Sequence, residues 1–189
     1  FNIPYQERVL SVKANIQNKH INIHTTHVPP GSTNGIVKVD HLNGIYDYFS
    51  DNNTELNILS GDFNTPKIED SKLGLLTWGQ KLTKRNEIIF SKEKESDKCS
   101  AKEWDKAERN IMLGLPKLGL IDVFRYLYSY DTEDYSWISK RKGKIVSRRR
   151  YDHIFASDKF NFISAYYIHS PLETNISDHS ILIANIELN

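Results

Sequence analysis

Runs of β character in this chain repeatedly meet acids and histidines at their ends. Gly61-Asp62-Phe63-Asn64 follows one apolar run, Arg150-Tyr151-Asp152-His153-Ile154 opens a second, and Ser177-Asp178-His179-Ser180 precedes a third. A carboxylate withdrawn from water needs a donor, a cation or a proton beside it. A fold in which these strand ends share one rim satisfies that need, and one that scatters them does not. The pattern therefore points to a sheet-based fold with a hydrolytic centre built around a hard cation.

Composition sets the outer limits. With 189 residues, the chain forms one domain, 1–189, with a real core. Apolar residues at 39% and charged residues at 26% exclude a membrane-spanning or strongly disordered class, and no apolar run reaches the roughly 18 residues that cross a bilayer. Cys99 is the single cysteine, which excludes an internal disulfide and disfavours a thiolate cage. A reducing, cytoplasmic compartment fits. Net charge is only +1, so distribution matters more than total. Lys140, Arg141, Lys142, Lys144, Arg148, Arg149 and Arg150 crowd one segment. That segment reads either as a solvated hairpin or as a patch following a phosphate backbone.

Periodicity predicts a hairpin from Val9 to Ile16 and Ile21 to Ile23, ended by Pro29-Pro30. A helix follows from Ile36 to Phe49, then a buried strand from Leu56 to Leu59. Lys92 to Lys98 reads as a mobile polar loop. Ser100 and Glu103 form a capping box for a helix with Trp104, Ala107, Ile111 and Leu115 on one face. Leu120 to Tyr128 is ambiguous between helix and strand. Tyr135 to Ser139, Tyr151 to Ala156, Phe162 to Ile168 and Ile181 to Leu188 read as strands. The class is α+β with mostly antiparallel pairing.

Residues two apart in an extended segment point the same way, so Asp62 and Asn64 should share a cavity while Phe63 turns inward. Gly61 would open room for a substrate. Asp152 stands where a strand expects a hydrophobe, and His179 is the donor that would satisfy it. A carboxylate-oriented imidazole has a fixed tautomer and raised basicity. Asp178 is free to serve a cation, and mostly oxygen ligands favour magnesium or manganese over zinc. His27 stands where its strand breaks into the proline turn.

From about Arg8 onward the chain resembles the endonuclease/exonuclease/phosphatase superfamily, particularly its exonuclease III and abasic-site endonuclease branch. The resemblance rests on six blocks in order: Thr26-His27-Val28-Pro29, Gly61-Asp62-Phe63-Asn64, Asp122-Val123-Phe124-Arg125, Tyr135-Ser136-Trp137, Arg150-Tyr151-Asp152-His153-Ile154 and Ser177-Asp178-His179. It implies two packed β-sheets flanked by helices, a DNase I-like four-layer sandwich. It implies His179 at the scissile phosphate or attacking water, oriented by Asp152. Asp62 would move a proton, Asn64 would position water or phosphate, and Asp178 would hold magnesium or manganese. His27 would donate to a phosphate, and Lys38, Arg149, Arg150 and Trp137 would contact the substrate.

Two departures qualify the match. The abasic-site branch carries tyrosine at the place of His27. The family's asparagine and its metal-ligating glutamate belong on two earlier strands that this chain lacks, and Glu7 sits too close to the Val9 strand to replace the latter. The resemblance therefore implies an N-terminally truncated domain, impaired unless a further segment or chain completes it. DNA is the expected partner, with DNA repair as the setting and no membrane. A small-molecule or lipid phosphoesterase and a catalytically silent nucleic-acid-binding module stand as the alternatives.

Overall fold

A computed structural model describes residues 3–32, 35–52, 55–93 and 97–188, with the side chain of Asp70 left aside. Strands β1 (Val9–Ile16) and β2 (Lys19–His27) form the expected hairpin. Gln17 and Asn18 both take positive φ at its tip, the twist that a two-residue hairpin loop needs. Helix α1 (Gly35–Asp51) then crosses over to β3 (Leu56–Asp62), which pairs with β2 in parallel.

Two miniature hairpins follow, β4 (Ile68–Asp70) with β5 (Gly74–Leu76), and β6 (Gln80–Leu82) with β7 (Ile88–Phe90). Three-residue strands carry too little alternation to be seen in sequence, and this region was not anticipated. The Lys92 to Lys98 loop falls partly outside the described residues. Helix α2 (Ala101–Arg109) opens with the expected reciprocal cap between Ser100 and Glu103, widens into a π turn at Asn110–Gly114, and closes as α3 (Leu115–Lys117). Leu120 to Tyr128 resolves into both alternatives, strand β8 (Leu120–Asp122) and helix α4 (Val123–Tyr128), because the Asp122 carboxylate caps the helix at the Arg125 amide. The remaining elements are β9 (Trp137–Arg141), β10 (Lys144–Arg149), β11 (Asp152–Ser157), β12 (Phe160–Ile168), α5 (Ser170–Glu173) and β13 (Ile181–Leu188).

The central sheet has the order β1-β2-β3-β11-β8, antiparallel except at β2–β3. Alternate side chains feed two cores. Leu59, Phe63 and Phe155 meet Leu42, Ile45 and Phe49 of α1 and Ile111 and Leu115 behind α2. Ile21 and Ala156, on the opposite face, meet Val123 and Phe124 of α4 and Phe160, Ala165 and Tyr167 of β12. The fold is thus a helix layer, a five-stranded sheet, and a second sheet of which β12 and β13 are the paired strands among the described residues. Mixed packed sheets flanked by helices are the architecture anticipated. Among the described residues no helix is long and apolar enough to cross a membrane.

Candidate active site

Three strands end at one rim, and each ends on a candidate site residue. His27 closes β2, Asp62 closes β3, and Asp152 opens β11. The register sets His27 opposite Asp62 and Asp62 opposite Asp152, one row across three neighbouring strands. Backbone bonds from Val28 N–H to Asp62 O and from Phe63 N–H to Tyr151 O, both 2.8 Å, lock the row just beyond the strand ends.

His179 joins from the loop before β13. It forms an isolated bridge with Trp137, and the Ser180 amide donates to Ser136 O at 2.7 Å. Its Nδ1 lies 2.6 Å from Asp152 Oδ2, and Nε2 lies 3.9 Å from Asp62 Oδ2. His27 Nε2 lies 3.7 Å from the same Asp62 oxygen. The hydrogen bond to Asp152 raises the pKa of His179 above the ordinary value, against the effect of burial. Burial raises that of Asp62, opposed by the Asn64 amide. Both groups are therefore more basic than their free counterparts.

Asp62 and Asn64 do meet, but not through extended geometry. The strand stops at Asp62 and Asn64 adopts φ 50°, so the Asn64 amide folds back onto Asp62 Oδ1 at 2.8 Å. Asn64 Nδ2 donates to Asp62 Oδ2 at 3.0 Å and to Val28 O at 2.9 Å. Asn64 thereby fixes Asp62, while Phe63 is fully buried as expected. Gly61 needs a different explanation from substrate access. At φ 139°, a Cβ there would lie 1.9 Å from Thr26 O, so glycine is required by the neighbouring strand.

Two expected substrate contacts are overturned. Lys38 is 0% exposed, its Nζ donating to Glu108 Oε1 at 2.6 Å and to Asn64 O at 2.8 Å. It holds the Asn64 turn from below and has no route to a substrate. Arg150 is 3% exposed, doubly bonded to Glu69 at 2.8 and 2.9 Å and to Asp122 at 2.7 and 3.2 Å. Its donors are directed to carboxylates in the interior. Arg149 is half-buried, bonded to Lys67 O and lying over the Trp78 ring. Trp137 is half-buried beside His179 and tilted 31° against Tyr151. Glu7 is exposed in a short 3-10 turn, in a shallow cleft that His27 also lines.

Ser136 stands in the Tyr135-Ser136-Trp137 block, but the sequence assigns it no role. It is fully buried, and its Oγ accepts from the amides of Tyr151 and Asp152, each at 2.9 Å. Tyr167 Oη donates to Asp152 O at 2.7 Å. Both position the carboxylate that orients His179, and a serine or tyrosine inside a strand-like run carries no signal of that work.

Among the described residues no group of three or more His, Cys, Asp or Glu side chains converges to hold a metal. The site offers the exposed Asp178 carboxylate next to His179 in the chain. A carboxylate oxygen is a donor that hard cations take together with waters and substrate phosphate.

The basic segment is the β9–β10 hairpin, with Arg149 paired to Trp137 at its base and Lys142-Gly143 at its tip. Lys140, Arg141, Lys142, Lys144 and Arg148 are exposed along it.

No family model and no curated protein matches the sequence. Solved structures do. An endonuclease/exonuclease/phosphatase family protein from Leptotrichia buccalis superposes with TM-score 0.55 at 19% identity, over 95% of this chain and 54% of its own. A 3′ phosphatase from Neisseria, bound to a product DNA hairpin, gives TM-score 0.58 at 19% identity, over 99% and 69%. An AP endonuclease from Leishmania major gives TM-score 0.61 at 14% identity, over 96% and 55%. The chain has the fold of the endonuclease/exonuclease/phosphatase structures and spans between 54% and 69% of the length of these three.

Proposed function

We propose that the chain is a phosphodiester hydrolase acting on DNA. The reading is carried by one observation: His179, held by Asp152 at 2.6 Å, presents Nε2 to Asp62 at 3.9 Å across a row of strand ends. That gap is too narrow for a phosphate to lie between the two groups. It suits a single water within hydrogen-bond reach of both.

Asp62, made more basic by burial, takes the proton from that water as its oxygen attacks phosphorus. His179, with its charged form favoured by Asp152, neutralises the charge that builds on the phosphoryl oxygens. The bond from phosphorus to the ester oxygen breaks, and the departing oxygen takes a proton from solvent. Asn64 and Ser136 hold Asp62 and Asp152 in place, and His27 is set to donate to a non-bridging oxygen. Magnesium or manganese at Asp178 would supply further charge neutralisation.

DNA as substrate draws support from the exposed cations of the β9–β10 hairpin, which lead away from Trp137 at the edge of the site. The Neisseria structure of the same fold holds a DNA hairpin. The test is hydrolysis of a labelled oligonucleotide and of bis(p-nitrophenyl) phosphate with magnesium or manganese, by the wild type and by His179→Ala and Asp62→Asn. Turnover lost in both variants supports the reading. Turnover of neither substrate, or turnover that survives His179→Ala, overturns it.

A further inference from the structure

The chain contains three tryptophans, and all three line one cavity. Trp78 comes from the β5–β6 connection, Trp104 from α2 and Trp137 from β9, segments far apart in sequence. The cavity measures about 720 Å³, and Tyr151, His27, Asn64 and His179 share its wall. It therefore opens onto the candidate reacting groups and lies within the roughly 300–1,000 Å³ typical of ligand pockets.

The walls are built rather than accidental. Trp104 is fixed by Nε1–H donation to Glu108 Oε1 at 2.8 Å. Room for its ring depends on two glycines: a Cβ at Gly31 would approach it to 2.9 Å and one at Gly35 to 2.5 Å. Trp137 leans on Tyr151 with ring centroids 5.4 Å apart. Trp78 is flanked by cations, with Lys67 Nζ 5.5 Å and the Arg149 guanidinium 4.9 Å from its ring centroid. Cys99 also lines the cavity, but burial pushes its thiol up to about 11, so thiolate chemistry is not what the pocket serves at neutral pH.

We infer that this cavity receives the base of the nucleotide whose phosphate reaches His179, and that the base must be unpaired to enter. The inference rests on the hydrolase reading and narrows it, from DNA in general to single strands, frayed ends or extruded nucleotides. Aromatic walls are the surface on which bases stack whatever their identity, and Lys67 and Lys92 stand among the lining residues beside Glu93, Asp97 and Asp178. A base inside a duplex has both faces covered and cannot occupy a recess lined by ring faces and edges. The hairpin cations then follow the backbone outside the pocket.

Because every tryptophan lines the cavity, fluorescence excited at about 295 nm, where the ten tyrosines do not absorb, reports on its occupant. The test titrates the whole 189-residue chain, in EDTA so that nothing is hydrolysed, with dAMP, deoxyribose 5-phosphate, and a short single-stranded oligonucleotide intact or with one abasic analogue. The duplex form of the intact oligonucleotide completes the series. Quenching by dAMP and by the intact single strand is expected, with affinity about tenfold above that of the base-free partner in each pair. The duplex should bind more weakly than the single strand. Trp78→Phe and Trp137→Phe should each remove part of the quench while leaving the far-ultraviolet spectrum unchanged.

Equal affinity for deoxyribose 5-phosphate and dAMP, preference for duplex, or no quench by any probe overturns the inference. Failure of the hydrolase reading shows separately, in the turnover assay with His179→Ala. Preference for dAMP alone, with no gain for the intact oligonucleotide, would keep the base pocket and reject the single-strand substrate.

Discussion

Two clusters of acids, histidines and arginine meet on β11, one residue apart, and they do opposite things. On one side Arg150 is clamped by Asp122 and Glu69, with His153 Nδ1 3.3 Å from Asp122 and its Nε2 2.8 Å from Thr65 O. Every member is buried or nearly so. On the other side Asp152 holds His179, which looks across at Asp62 over a gap wider than a hydrogen bond, in a cleft open to solvent. The ionisable groups of the first cluster are paired with one another, and the second leaves a 3.9 Å gap between His179 and Asp62. Saturation converts ionisable side chains into structure, while an open position leaves them able to act on something that arrives.

The sharpest way to break this contrast is to remove one member from each side. His179→Ala should lower turnover by about 10²–10³-fold, the usual weight of one group that stabilises charge developing in the transition state. Its effect on unfolding free energy should stay within about 1 kcal/mol. Arg150→Ala leaves Asp122 buried without its cation and Glu69 with Arg125 alone, and should destabilise by about 3–5 kcal/mol in urea denaturation. A folded, stable Arg150→Ala chain with lost turnover would return Arg150 to the substrate and erase the distinction.

Lys38 and Glu108 extend the saturated side to the helix layer. Burial lowers the Lys38 pKa, and Glu108 opposes that fall without cancelling it. Lys38→Met should again cost about 3–5 kcal/mol, and Lys38→Met with Glu108→Leu should recover most of it, because the buried charge left behind is the main penalty. A double variant no better than the single one would mean that the bond to Asn64 O and the bonds Glu108 accepts from Trp78 and Trp104, not the ion pair, carry the stability.

These two cations also show where sequence reading stops. Asp152 and His179 were legible because an acid at the head of an apolar run demands a partner, and one Asp-His pair supplied it. The hairpin, α1 and its capping successor α2 were legible from period and caps. Lys38 was not, because its partner lies 70 residues away and a lysine on a helix ordinarily faces water. Arg150 was assigned to the substrate for the same reason: its neighbours in sequence are exposed cations, while Asp122 and Glu69 reach it only through the fold. The tryptophan cavity combines segments that no local pattern links.

The clusters should also answer pH in opposite directions. Burial pushes the Asp122 carboxyl up, but Arg150 and His153 overcome it and hold the carboxyl well below its ordinary value. Glu69 is likewise lowered, Arg150 and Arg125 outweighing burial. Their stabilisation is full above the ordinary values of 3.8 and 4.5 and is lost as pH falls through the lowered ones. His179 is raised, so its contribution is full below 6.5 and is lost as pH rises through the elevated value. Asp62, also raised, loses stability upward from 3.8. Urea midpoints followed from about pH 3 to pH 9 should therefore fall at both ends. Asp122→Asn should flatten the acid limb and His179→Gln the alkaline one. A single limb governed by both variants would mean that the clusters titrate as one.

His27 gives the smallest effect and the finest test of the contrast. It belongs to the row of strand ends, yet its side chain is 64% exposed and its ion-pair contact among the described residues is Asp62 at 3.7 Å, beyond hydrogen-bond length. A residue placed this way has little to contribute until a phosphate comes within reach. His27→Ala should leave the urea midpoint nearly unchanged, within about 0.5 kcal/mol, and reduce turnover by about tenfold, as expected for one donor to a charged group. Loss of stability without loss of turnover would move His27 to the saturated side. No loss of either would remove it from the site and leave Asp62, Asp152 and His179 as its working core.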